Sequence, residues 1–209
     1  MKKFAVAIVA ILAITLTAQA QFRLGVAGGA GLSNQRVNAS QGSVYSSNNM
    51  EGYHFGLASD VNVAGNFYLQ TQLLFSRKGS IHLSTLHEQD TRIRLSYVEV
   101  PVNVVYKLDL GFGKVYGGTG ATFSYAVGGE QRLGAGTKKL FSKGNDEWRR
   151  KDLSLNFTAG LELNNGLFAS VTSQKGLLNI HRGPGSIRNE SLTVSVGYMI
   201  DWSKFRKKG

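Results

Sequence analysis

Apolar and polar residues alternate with a period of two along three long stretches, the period of a β-strand whose two faces meet different surroundings. One face of residues 53–63 reads Tyr53, Phe55, Leu57, Ser59, Val61 and Val63. Residues 153–163 present Leu153, Leu155, Phe157, Ala159, Leu161 and Leu163, and residues 192–202 present Leu192, Val194, Val196, Tyr198, Ile200 and Trp202. Only Ser59 is polar among them. The opposite faces carry His54, Gly56, Ala58, Asp60 and Asn62, then Asp152, Ser154, Asn156, Thr158, Gly160 and Glu162, then Thr193, Ser195, Gly197, Met199 and Asp201. They hold small residues and acids, and no Lys or Arg.

Five further segments, residues 22–33, 67–78, 92–107, 114–127 and 167–175, have strand composition with less regular alternation. The connections between the eight alternate in length. Residues 34–52, 79–91, 128–151 and 176–190 are long and polar. Ala64-Gly65-Asn66, residues 108–113 and Asn164-Asn165-Gly166 are short, with turn chemistry. No helical period and no repeat of 20–50 residues interrupts the series. The pattern predicts an all-β fold, an eight-stranded antiparallel up-and-down barrel.

The N-terminus changes what surrounds that barrel. Lys2 and Lys3 precede an apolar run from Phe4 to Thr17, and Ala18-Gln19-Ala20 follows as a small-residue cleavage site. This pattern predicts a secretory signal peptide over residues 1–20, with a barrel expected over residues 21–203 and a basic tail over 204–209. An exported barrel with long and short connections alternating is expected in the outer membrane, with short turns and both termini periplasmic. The competing fold is a secreted soluble barrel with its apolar face inside. A water-facing strand face would then carry several Lys and Glu, whereas the polar face here suits a narrow, side-chain-filled lumen. Aromatic residues also gather near the expected strand ends, as interfacial belts do. Phe22, Phe67, Tyr68, Tyr106, Tyr116, Phe168, Tyr198 and Trp202 fall at one end, and Tyr53, Phe55, Phe75 and Tyr125 at the other.

Composition removes several classes of function. The 209 residues include no cysteine, which excludes disulfide frameworks, thiolate metal sites and cysteine nucleophiles. The formal charge of +11 falls to +9 with the loss of Lys2 and Lys3. Such a charge ordinarily suggests nucleic acid, but an exported chain does not meet it, so no nucleic-acid partner is expected. No cofactor is implied.

Tyr97-Val98-Glu99-Val100-Pro101-Val102, continuing to Tyr106-Lys107, resembles the Tyr-x-Glu-x-Pro strand of the PorT-like outer-membrane β-barrel family of Bacteroidota. Gly52 to Leu57 resembles that family's second strand and Phe75 to Gly79 the end of its third. Gly25 to Gly31 and Val196-Gly197-Tyr198 also fit. The resemblance implies a membrane barrel over the whole mature chain. For function it implies only an analogy to secretion machinery.

Alternation points Asp60, Glu99, Asp152, Glu162 and Asp201 into the lumen, with Arg23 and Lys107 as basic partners. Unpaired charges there would be costly, so a salt-bridged structural plug is expected; an ion path is the alternative. Pro101 lacks a ladder N–H and predicts a bulge or local bend beside Glu99, or else a recognition point on the lipid face. The longest loop is basic: Arg132, Lys138, Lys139, Trp148, Arg149 and Arg150 are candidate contacts for lipopolysaccharide phosphates, outer-membrane lipid or an acidic envelope or secretion-machinery protein. A solvated loop is the plainer reading. His82, His87 and Glu88 have a weak metal-like spacing, and His87 with Asp90 and a serine would be needed for lipid-modifying chemistry. No nucleophile motif supports the latter, so no catalytic or metal residue is assigned.

Overall fold

A computed structural model of the chain describes residues 22–38, 44–82, 91–133, 136–142, 148–183 and 185–201. Residues 1–20, expected to be a signal peptide, Trp202, residues 204–209, His87, Glu88 and Asp90 lie outside the described residues. Of His82 and Asp201 only the backbone is described.

Eight long strands form the structure: β1 (Phe22–Asn38), β3 (Asn48–Ala64), β4 (Phe67–His82), β5 (Thr91–Asp109), β6 (Gly113–Leu133), β8 (Lys151–Leu163), β9 (Leu167–Gly176) and β10 (Ser186–Asp201). Each pairs antiparallel with its neighbours, and β10 pairs with β1 from Arg23↔Asp201 to Asn38↔Ser186. The sheet therefore closes into a ring. Closure gives every long strand two partners, the condition for backbone to sit in hydrocarbon. Two short strands, β2 (Val44–Ser46) and β7 (Gly136–Lys139), attach to the far ends of β1 and β6.

The three short turns close as their residues dictate. Gly65, Gly111 and Gly166 take φ of 51°, 86° and 96°, the left-handed region that favours glycine. Asn62 donates to the Gly65 carbonyl at 2.7 Å, and Asp109 accepts from Gly111 N–H at 2.7 Å.

The opposite end departs from the expected strand limits. β5 has 19 residues, against the roughly 9–11 that a tilted strand needs to cross a bilayer. Its burial parity is constant, but its chemistry inverts. Over Val98–Leu108 the outward positions are Val98, Val100, Val102, Val104, Tyr106 and Leu108, and the inward ones include Glu99, Asn103 and Lys107. Above that band the inward residues are Ile93, Leu95 and Tyr97, and the outward ones are Arg92, Arg94 and Ser96. The lower half is a membrane barrel with a polar inside; the upper half is a water-soluble crown with an apolar inside. Ile93, Leu95 and Tyr97 pack there with Ala126, Leu140, Trp148 and Ile180, closing the mouth of the ring.

Three expectations are corrected. The ladder between β4 and β5 skips from Thr71↔Val102 to Leu74↔Glu99 in unchanged register, so Pro101 interrupts two rungs without making a bulge. Pro101 faces the lumen, not lipid. The bulge instead falls between Tyr97↔Ala126 and Ser96↔Gly128, leaving Val127 as an extra residue of β6. Tyr68, Tyr116 and Phe168 are not interfacial: all three are buried inside the ring, because each lies on the inward parity of its strand.

Candidate functional site

The outer surface is apolar where a soluble protein would be charged. Phe55 and Leu57 are 56% and 58% exposed, while Asp60 and Lys107 are 1% and 2% exposed. Three layers fill the interior.

At the turn end, Lys107 Nζ lies 2.9 Å from Asp60 Oδ2 and 2.7 Å from Glu162 Oε2. Arg23 pairs with the same two carboxylates. Two cations and two acids from β1, β3, β5 and β8 thus form a neutral cluster. The Lys107 ammonium also sits over Tyr68, 4.6 Å from the ring centre, and 5.5 Å from that of Tyr116. Parity places these side chains: all point inward near the same height, where the ring leaves no water-filled alternative for a charge.

Above this layer a hydrogen-bonded net crosses the barrel. Lys78 donates to Glu99 at 2.7 Å and also to Gln174. Ser124 donates to the same Glu99 oxygen at 2.9 Å, Gln174 donates to Thr122, and Asn156 bonds both Thr122 and Asn103. Asp152 makes no ion pair among the described residues. It accepts from Asn189 at 2.8 Å and from the Leu153 N–H, and Asn189 also reaches the Tyr97 hydroxyl. The acids predicted as one network therefore divide: Asp60 and Glu162 join Arg23 and Lys107, Glu99 joins Lys78, and Asp152 bonds amides. Lys78, which alternation turns inward at the end of β4, escaped the sequence reading.

The third layer is the apolar plug of the crown. Only about 40 Å³ of free space remains along the middle of the barrel, enough for a few waters. Within it His54 Nε2 lies 2.8 Å from Ser195 Oγ. That pair resembles a nucleophile and its base, but both residues are buried, between the ionic layer and the crown. The described residues contain no group of His, Asp and Glu able to hold a metal ion.

The basic loop is only partly the exposed surface that its composition suggested. Trp148 is buried in the crown, edge-on to His181 with ring centres 5.5 Å apart, and so is not a surface anchor. Its indole fills the apolar mouth because β5 and the 178–181 segment leave that space lined with Ile, Leu and Tyr. The Arg150 guanidinium is drawn back onto backbone, donating to the Ala126 and Phe141 carbonyls at 2.9 and 3.1 Å. Arg132 is the penultimate residue of β6, while Lys138 and Lys139 lie on β7; these and Arg149 are exposed. Arg149 and Arg150 border a shallow cleft of about 560 Å³ with Lys151 and Arg182.

Several solved barrels are similar to this chain at low identity. Ail, the attachment invasion locus protein of Yersinia pestis, in complex with the heparin analogue sucrose octasulfate, is 16% identical, with 86% of this chain and 99% of that one covered at a TM-score of 0.45. Neisserial surface protein A is 10% identical over 85% of this chain and 96% of its own, also at 0.45. The N-terminal barrel of Pseudomonas aeruginosa OprF is 11% identical over 87% and 100%, at 0.37. A comparison with curated proteins finds no match. A family model matches residues 17–182, most of the chain, and with the closed ring and apolar outer face already described, the protein belongs to the outer membrane protein beta-barrel domain family.

Proposed function

We propose that this protein is a non-enzymatic outer-membrane barrel that works by binding, as a scaffold or accessory subunit. Both termini lie in the periplasm, and the crown faces outward. The observation that carries the reading is the filled lumen, with its ionic layer, polar net and apolar plug stacked in series. A barrel closed at three levels offers neither a pore nor a reachable catalytic pair, so its working surfaces are its outside and its ends. The likeness of residues 97–107 to the PorT-like strand favours envelope secretion machinery as the class of partner.

The test is gentle detergent extraction of outer membranes, with an affinity tag placed after Gly209. Stoichiometric recovery of secretion-machinery subunits is the expected result. A second reading, a stand-alone surface barrel serving envelope integrity or adhesion, is favoured by the crown, which folds the loop end into a packed surface. Recovery of a lone heat-modifiable barrel would select it and overturn the accessory role.

A further inference from the structure

The outward face of the crown carries a cluster that the loop's composition did not reveal. Arg77 on β4 and Arg94 on β5 converge on one carboxylate oxygen, Glu130 Oε1, at 3.1 and 3.7 Å. On the ladder Ser96 of β5 sits between Arg77 and Gly128, and its small side chain lets Arg77 of β4 reach Glu130 of β6 across β5, beside Arg94. Glu130 faces them because the Val127 bulge reverses the parity of β6: Tyr125 and Val127 point outward below it, Glu130 and Arg132 above it. Lys139 on β7, Phe141 and Arg150 complete a cleft of about 370 Å³, the Arg150 guanidinium lying 4.5 Å from the Phe141 ring centre. Among the described residues, Arg77, Arg94, Lys139 and Arg150 line the cleft with one acid, Glu130. The guanidiniums of Arg77 and Arg94 remain 40% and 37% exposed at the side chain while held in place by Glu130.

Position gives this cleft its ligand. It opens sideways at the upper edge of the apolar belt, with Val127 in its wall and Phe75, Val98 and Tyr125 next below on the same strands. A molecule bound there has its head among arginines and its tail along lipid-facing residues. Planar guanidinium forks match phosphate oxygens, and several can share one phosphate. We propose that this cleft binds the phosphorylated sugar headgroup of a glycolipid of the outer leaflet, with its acyl chains lying along β5 and β6. The proposal rests on the outward orientation of the crown given above, and it adds a lipid site to that reading.

The test reconstitutes the full barrel into phosphatidylcholine nanodiscs and titrates phosphorylated lipid A, dephosphorylated lipid A and inorganic phosphate. Wild-type protein should prefer the phosphorylated lipid. The double variant Arg77→Gln/Arg94→Gln should lose at least tenfold in affinity, about the worth of one charge-assisted hydrogen bond. Glu130→Gln should bind as tightly as wild type or more tightly, a gain that general damage to the crown would not produce. Heat-modifiable mobility checks that each variant is folded. Equal binding of dephosphorylated lipid would overturn the phosphate site. Inorganic phosphate binding as tightly as the lipid would overturn the membrane source. Undiminished binding by the double variant would move the site elsewhere. Failure of the wild type to insert at all would sink the barrel itself, a result distinct from these three.

Discussion

Lys107 shows how one buried side chain holds distant strands together. Its ammonium balances carboxylates from β3 and β8 while lying against Tyr68 of β4, so a single residue of β5 ties three other strands. In Lys107→Met, Asp60 and Glu162 would face only Arg23, one carboxylate in excess. Breaking such a buried arrangement costs about 3–5 kcal/mol. The unfolding midpoint in urea, followed by heat-modifiable mobility, should fall accordingly, and Lys107→Met/Glu162→Gln should recover much of the loss. An unchanged midpoint for the single variant would show that the ion pairs contribute nothing. Gly160 offers a steric counterpart. A Cβ there would meet both the Ala169 carbonyl oxygen and the Tyr116 ring at 2.5 Å, so Gly160→Val must shift the β9 backbone and push that ring from beside Lys107, and lower the same midpoint. Asp60 and Glu162 were legible in the sequence because strict alternation fixes the faces of β3 and β8, and Lys107 because it shares the parity of Glu99 on β5. Lys78 was not, since it follows Arg77 at a strand end where either residue could turn inward. The division of the acids depends on height within the barrel, which a one-dimensional pattern does not encode.

Among the elements, β5 and β6 carry most of what the pattern concealed. In β3, β8 and β10 one face is apolar and the other polar, so register is plain. β5 has apolar residues on both faces, outward in the membrane band and inward in the crown, and its alternation blurs where the two halves meet near Tyr97. β6 reverses parity at Val127, which no composition rule marks. The natural chain lacks cysteine, so single-cysteine scanning can read both features. A lipid-soluble maleimide should label positions 119, 121, 123 and 125 of β6 but not 122 or 124. A water-soluble reagent should label 130 and 132 while 129 and 131 stay protected. Labelling that keeps one parity through residue 131 would remove the bulge and the cleft above it. Trp148 reports on the crown as a unit. Phe/Trp→Ala changes in cores cost about 3–5 kcal/mol, so Trp148→Ala should open the mouth to protease at the loop end. The turn-end ionic layer shares no side chain with it, and the membrane band should remain resistant. Cleavage no faster than in wild type would mean that Trp148 does not hold the crown.

For the whole molecule, the two seals differ in chemistry and stand at opposite ends of the polar net. In the proposed reading the ionic layer blocks ions by filling the ring with paired charges, and the crown blocks them with an apolar plug. Resistances in series make a specific pattern of conductance. Wild-type protein in a planar bilayer should show no single-channel steps. Replacing the lower seal alone, with Lys107→Ala/Glu162→Ala, should leave the barrel closed because the plug remains. Loosening the plug alone, with Trp148→Ala/Ile180→Ala, should leave it closed because the ion pairs remain. Only the combined variant should conduct, and that non-additivity distinguishes two independent barriers from one. Conductance from the lower pair alone would mean that the crown is permeable and that a pathway lies latent behind the salt bridges, reviving the ion-path reading of these charges. Silence of the combined variant, in protein that still migrates as a folded barrel, would place the effective seal in the Lys78–Glu99–Gln174 net between them.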